Sequence, residues 1–209
     1  MFFLAAGSIA FSSSPFPLPP SASRPLPHAI VWRRIDLPGH EYCRLQETDA
    51  GARLTGVAVV SNDSTPHCVE YEIQCDKEWR TLRCRIADNS TETRMDLEYR
   101  HEGKTWLCNG IEVPIVAGCD DIDLGFSPST NLLPIKRLNL KQGESAKVRA
   151  AWVRFPEFTL ELLEQSYTRL AEYTYSYQSS DGKFQRNLEV DKNGFVVDYP
   201  GIWIAESRT

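Results

Sequence analysis

Asp120, Asp121 and Asp123 are the densest group of reactive side chains in this 209-residue chain. In an extended segment Asp121 and Asp123 lie two positions apart and share a face, where paired carboxylates could hold a hard cation or accept from sugar hydroxyls. The competing role is structural, with the acids answering turn amides or pairing with a cation such as Arg137. The further oxygen ligands of a calcium loop are missing, so no metal site is expected. Next comes a Ser127-Pro128-Ser129-Thr130-Asn131 turn and an apolar and basic run, Leu133 to Leu138. Thr130, Asn131, Lys136 and Arg137 could donate to a polar head group, or could cap the turn and face solvent. Trp152 and Tyr199 offer rings that stack on sugars or line acyl chains, although aromatic residues in strands usually fill a core. The expected ligand contacts are therefore Asp121, Asp123, Thr130, Asn131, Arg137, Trp152 and Tyr199.

No catalytic residue is assigned. His28, His40, His67 and His101 show no helical pairing, and no G-x-S-x-G elbow is present. The Asp-x-Asp pair lacks the βαβ pattern and Gly-rich loop of a nucleotide fold, so no cofactor is expected. The six cysteines form no C-x-x-C pair and read as small buried hydrophobes. A carboxylate hydrolase acting on a sugar or lipid ester stays open if Asp120, Asp121, Glu157 and Asp198 converge in the fold.

The elements that must position these residues are strands. From Val31 onward, short segments alternate apolar and polar residues between turn signals, the mark of an antiparallel sheet. Ala146, Val148, Ala150 and Trp152 share one face. Tyr173, Tyr175 and Tyr177 share another, and Asn109-Gly110 is a strong hairpin signal. Leu160 to Leu170 fits either period and is read as a strand followed by a short helix or turn. So many strands must curl or close to bury a face, and curling creates a lumen.

Long stretches carry a resemblance: VWRRIDLPGHEYCRL at 31–45, GCDDIDLGFSPSTNLLPIKRL, GESAKVRAAWVRFPEF, LEQSYTRL and LEVDKNGFVVDYPGIW. Together, and in this order, they resemble the bacterial and fungal putative glycolipid-binding family, first catalogued as a domain of unknown function. The resemblance spans roughly residues 29 to 205. It implies a spirally rolled antiparallel β-sheet like that of bacterial lipoprotein carriers, and hence glycolipid binding.

The expected architecture is all-β, a barrel-like roll with little helix, formed by one domain over 29–205 and a short tail at 206–209. Residues 1–28 read as a Ser/Pro-rich disordered tail or a targeting segment. Their apolar run of about 10 residues is shorter than the roughly 20 that span a bilayer, and either a weak secretory signal or a transit-like extension fits it. A net charge of -5 and a pI near 5.4 argue against nucleic acid as a partner. The expected function is non-covalent binding of an amphiphile such as a glycolipid, with acyl chains in the interior and the head group near Thr130, Asn131 and Arg137. A protein-interaction module using an exposed sheet edge is a further alternative.

Overall fold

The computed structural model describes residues 28–209; the tail or targeting segment expected at the N-terminus lies almost wholly outside these residues. Among the described residues fifteen strands form one sheet. In chain order they are β1 (His28–Arg34), β2 (Gly39–Thr48), β3 (Gly51–Asn62), β4 (Thr65–Cys75), β5 (Thr81–Asp88), β6 (Thr93–Arg100), β7 (Thr105–Cys108) and β8 (Ile111–Glu112). After them come β9 (Asp121–Leu124), α1 (Leu132–Leu138), the one α-helix among the described residues, β10 (Ser145–Val153), β11 (Leu160–Ala171), β12 (Thr174–Ser179), β13 (Phe184–Val190), β14 (Val196–Tyr199) and β15 (Trp203–Arg208).

The first eight strands form a meander and so do the last six, and the two are joined where β1 pairs with β15. Every pairing is antiparallel except that of β9 with β10. Period-two alternation sets the register. Trp32, Glu41, Ala58 and Val69 form one buried cross-strand row, and Ile30, Cys43, Gly56 and Tyr71 form the next. Asn109 and Gly110 both take positive φ in the tight β7–β8 turn, as the Asn-Gly signal requires.

The sheet rolls until β9 reaches β5, where Thr81 N–H donates to the Asp120 carbonyl (3.0 Å) and the Thr81 hydroxyl accepts from Ile122 N–H (3.2 Å). No ladder closes the barrel; β6 to β8 continue past the meeting point, and Trp106 Nε1 donates to the Cys119 carbonyl. As a result β9 and β10 are covered on both sides. Ile122, Leu124, Ala151 and Val153 are buried on one face, Asp121 and Ala150 on the other. This is the spiral all-β roll expected from the sequence.

Three local expectations need correction. Residues 160–171 form one continuous strand, with Leu163, Gln165 and Tyr167 on one face, in register with β10 and, from Gln165 to Arg169, with β12 before a register shift. Tyr173 lies in the β11–β12 turn and is exposed, so Tyr175 and Tyr177 alone share the inner face. The last strand runs to Arg208, beyond Ala205 where the sequence pattern ends it. The run after the Ser-Pro-Ser-Thr-Asn turn is the helix α1. Pro134 is tolerated in its first turn, where no intrahelical N–H bond is needed, and Asn139 ends it in the left-handed conformation.

The α1 helix seats Leu132, Leu133 and Ile135 into the roll. Lys136 reaches Glu47 near the end of β2 (3.6 Å) and lies over the Trp79 ring, while Leu132 and Lys136 approach Gly194 in the β13–β14 turn. The helix thereby fills that end of the interior. The centre is solid, with Trp32, Trp106, Phe126, Tyr167, Phe195, Leu45, Leu54, Ile73 and Leu97 all fully buried. All six cysteines are unpaired, and Cys43, Cys75, Cys84 and Cys119 are buried. Burial pushes the Cys75 thiol up to about 12 and the Cys119 thiol up to about 11, which suits small hydrophobes rather than nucleophiles.

Candidate functional site: an aromatic cup at the open end of the roll

The end opposite α1 retains a cup of about 310 Å³, room for about ten waters. Its mouth lies at the β12–β13 and β14–β15 turns, marked by Ser180 and Ile202, and Asn131 lines it just before α1 begins. Trp152, Tyr177, Phe184, Tyr199 and Trp203 contribute rings. Tyr177 packs edge to face with Phe184 and Tyr199, which are tilted against each other, at centroid distances of 6.0 to 6.2 Å, and Tyr167 backs Tyr177 at 5.1 Å. Arg34 lies over the Trp203 ring at 5.4 Å, fixing that wall.

Asp123 is the carboxylate of the cup. Its neighbour on β10 is Trp152, which shares its face, and Gln165 Nε2 donates to its Oδ2 (2.6 Å) and approaches Tyr177 Oη (3.2 Å). Burial is the main influence on this group and pushes its pKa up to about 6; the Gln165 bond opposes the shift and nearby Asp121 adds to it. Asn131 accepts from Tyr167 Oη (2.9 Å) and donates to the Pro128 carbonyl (3.2 Å), so its amide is held rigidly.

Behind the wall lies a second polar group. Ser127 lines the cup and donates to Glu41 Oε1 (2.6 Å); Tyr71 Oη donates to the same oxygen (2.5 Å), and Ser129 Oγ lies 2.7 Å from Ser127 and 2.9 Å from Tyr71. Glu41 is fully buried, and its Oε2 has no partner among the described residues. Burial raises its pKa to about 8, against the opposing pull of the Ser127 and Tyr71 bonds and of the Arg34 charge. Burial therefore favours the neutral acid.

Of the residues singled out from the sequence, Asp123, Asn131, Trp152 and Tyr199 meet around this cup. The other three do not line it. Asp121 accepts a bidentate pair from Arg137 Nε (3.1 Å) and Nη2 (2.5 Å), and the Thr130 hydroxyl accepts from Leu124 N–H (3.3 Å). The carboxylates Asp120, Asp121, Glu157 and Asp198 are likewise not among the cup's lining residues, so Asp123 faces no second acid there. Among the described residues no three His, Cys, Asp or Glu side chains gather as a metal cluster. Gln165, Tyr177, Phe184 and the Glu41 network were missed. Glu41 had a signal: it occupies the apolar phase of Glu41-Tyr42-Cys43-Arg44-Leu45, where a carboxylate must be buried.

A rolled sheet, plugged at one end and open at the other onto an aromatic cup with a few fixed polar groups, defines a class of β-barrel-like folds suited to holding small ligands. The chain belongs to the family described as putative glycolipid-binding, whose model matches residues 29–205. It is similar to a DUF1089 family protein from Pseudomonas aeruginosa, with a TM-score of 0.67 and 28% identity over 78% of this chain and 90% of that one. A β-barrel-like DUF1849 protein from Brucella abortus shares the fold, with a TM-score of 0.53 and 10% identity over 86% of this chain and 95% of that one. No curated protein matches the chain.

Proposed function

We propose that this chain binds an amphiphile non-covalently, taking a compact polar head of the size of one sugar ring into the cup. One observation carries this reading: five aromatic rings converge with the Asp123 carboxylate, which Gln165 holds from behind, and the fixed Asn131 amide around about 310 Å³. Rings that stack on the apolar faces of a sugar, beside acceptors for its hydroxyls, form a recognisable carbohydrate-binding chemistry. Family membership supports a glycolipid as the amphiphile. Volume decides the orientation, since room for about ten waters suits a head group and is too little for a head and a long chain together. The interior is thus read as a head-group site, the reverse of acyl chains inside a hollow lumen.

Titration with an alkyl glycoside, following fluorescence from Trp152 and Trp203, tests the proposal. Saturable quenching is expected, with Trp152→Ala weakening binding by about 1.5 to 3 kcal/mol, the worth of one buried large side chain, while the melting temperature changes little because Trp152 is half-buried. Asp123→Asn should also weaken binding. Absence of binding across glycolipid classes, or affinities indifferent to both substitutions, refutes the reading.

A further inference from the structure

The outer face of the sheet carries a trough larger than the cup, about 590 Å³. It lies across the strands between two parallel rows of outward side chains. One row is Thr55, Glu72, Arg85 and Asp96; the other is Tyr42, Val57, Glu70, Ala87 and Arg94. The row between them, Gly56, Tyr71, Ile86 and Met95, points its side chains inward, so backbone forms the trough's floor. Spanning β2 to β6 takes four inter-strand steps, a length of about 19 Å, and rows two residues apart stand about 7 Å from each other. Asn109 closes the far end.

The chemistry of this trough is unusual for a surface with so many charged residues in its walls, because those residues are already paired with one another or with residues beside the trough. Arg85 lies between Glu72 (3.8 Å) and Asp96 (3.9 Å), and Asp96 accepts a bidentate pair from Arg83. Glu70 accepts from Asn89 Nδ2 (2.8 Å), and Arg94 donates to the Asp88 and Thr93 carbonyls and to Asn89 Oδ1. The floor amides are committed to sheet ladders on both sides. An extended peptide would find no free edge, and an oligosaccharide would find few unpaired donors. What remains is carbon: the Tyr42 ring, Val57, Ala87 and the stems of the paired side chains. Tyr42 and Val57 are exposed.

We propose that the trough binds a single extended alkyl chain. The occupant must be long, narrow and undemanding of hydrogen bonds; a row spacing of about 7 Å admits one such chain, and 590 Å³ corresponds to about twenty water-sized groups. The site is separate from the cup, since the sheet itself divides them. It stands independently of the head-group reading.

The test uses the full chain and 11-(dansylamino)undecanoic acid as probe. Saturable binding is expected, weakened about tenfold or more by Val57→Glu and by Ala87→Glu, each of which sets an unpaired carboxylate against the chain. Asp123→Asn should change the affinity less than about twofold, since distant sites act independently. A diazirine-bearing fatty acid, photolysed on the unaltered protein and mapped by mass spectrometry, should label the segments around Val57, Glu70, Ala87 and Arg94; this arm needs no variant to fold. The proposal is overturned if the probe does not bind, if trough variants leave its affinity unchanged, if Asp123→Asn abolishes binding, or if labelling falls on the cup residues.

Discussion

Replacing Glu41 by Gln should flatten the dependence of stability on pH between 5 and 8. In the folded chain Glu41 Oε1 accepts from Tyr71 and Ser127, so the acid's proton resides on Oε2, which has no partner among the described residues. Cys43, Ser129 and Arg34 complete its surroundings; of these Arg34 favours the charged form, and burial outweighs it. The shift from 4.5 to about 8 means the native state keeps a proton that the unfolded chain has already released over that interval. Stability from this group is therefore complete below pH 4.5 and is lost as pH rises toward 8. At about 1.4 kcal/mol per pH unit, the ceiling over the whole interval is about 5 kcal/mol. Gln keeps the acceptor for Tyr71 and Ser127 and cannot titrate. Urea unfolding at pH 5, 6, 7 and 8 would measure the difference between the two proteins, in which the contributions of Asp123, Asp88 and other acids cancel. The wild type should lose stability relative to the variant by several kcal/mol from the lowest pH to the highest. A difference independent of pH would show that Glu41 is ionised in the fold, and the account of its burial would fail.

Two further substitutions probe the walls. A β-carbon at Gly56 would lie 2.6 Å from Tyr71 Cε1, too close for any real contact, so Gly56→Ala should cost about 1 to 3 kcal/mol as the ring is displaced; an unchanged denaturation midpoint would contradict this. Asp121→Asn should cost about 3 to 5 kcal/mol by leaving the Arg137 charge without its buried partner. Pairing it with Arg137→Met should recover part of that loss in a double-mutant cycle, whereas simple additivity would show that the two do not interact.

The roll was legible because strand alternation and turn residues are local signals, and their number forces a sheet to curl. The candidate site was half legible. Asp123 and Trp152 appeared because both lie in unambiguous strands whose phase puts them on one face. Asn131 and Tyr199 lie where the chain turns inward. Thr130 and Arg137 lie outside the cup, engaged by Leu124 N–H and by Asp121, and their sequence neighbourhood does not show those partners. Gln165 was hidden by the double periodicity of Leu160 to Leu170. With that segment read as a strand, a glutamine between Leu163 and Tyr167 on an inward face would have pointed to the cup.

Cavity size is a different kind of quantity, fixed by contacts between distant segments. The expected lumen became a cup because α1 plugs one end of the roll, seating Leu132, Leu133 and Ile135 inside while Lys136 meets Glu47 and Trp79, residues remote in sequence. No single stretch records that volume. The same reasoning explains why the outer trough escapes a linear reading: its walls come from five strands, and its apolar character arises from charges that pair only once those strands are in register. In the sequence Glu70, Glu72, Arg85, Arg94 and Asp96 suggest a solvated face. Paired in the fold, they present their hydrocarbon stems, and composition alone gives the opposite polarity from the assembled surface.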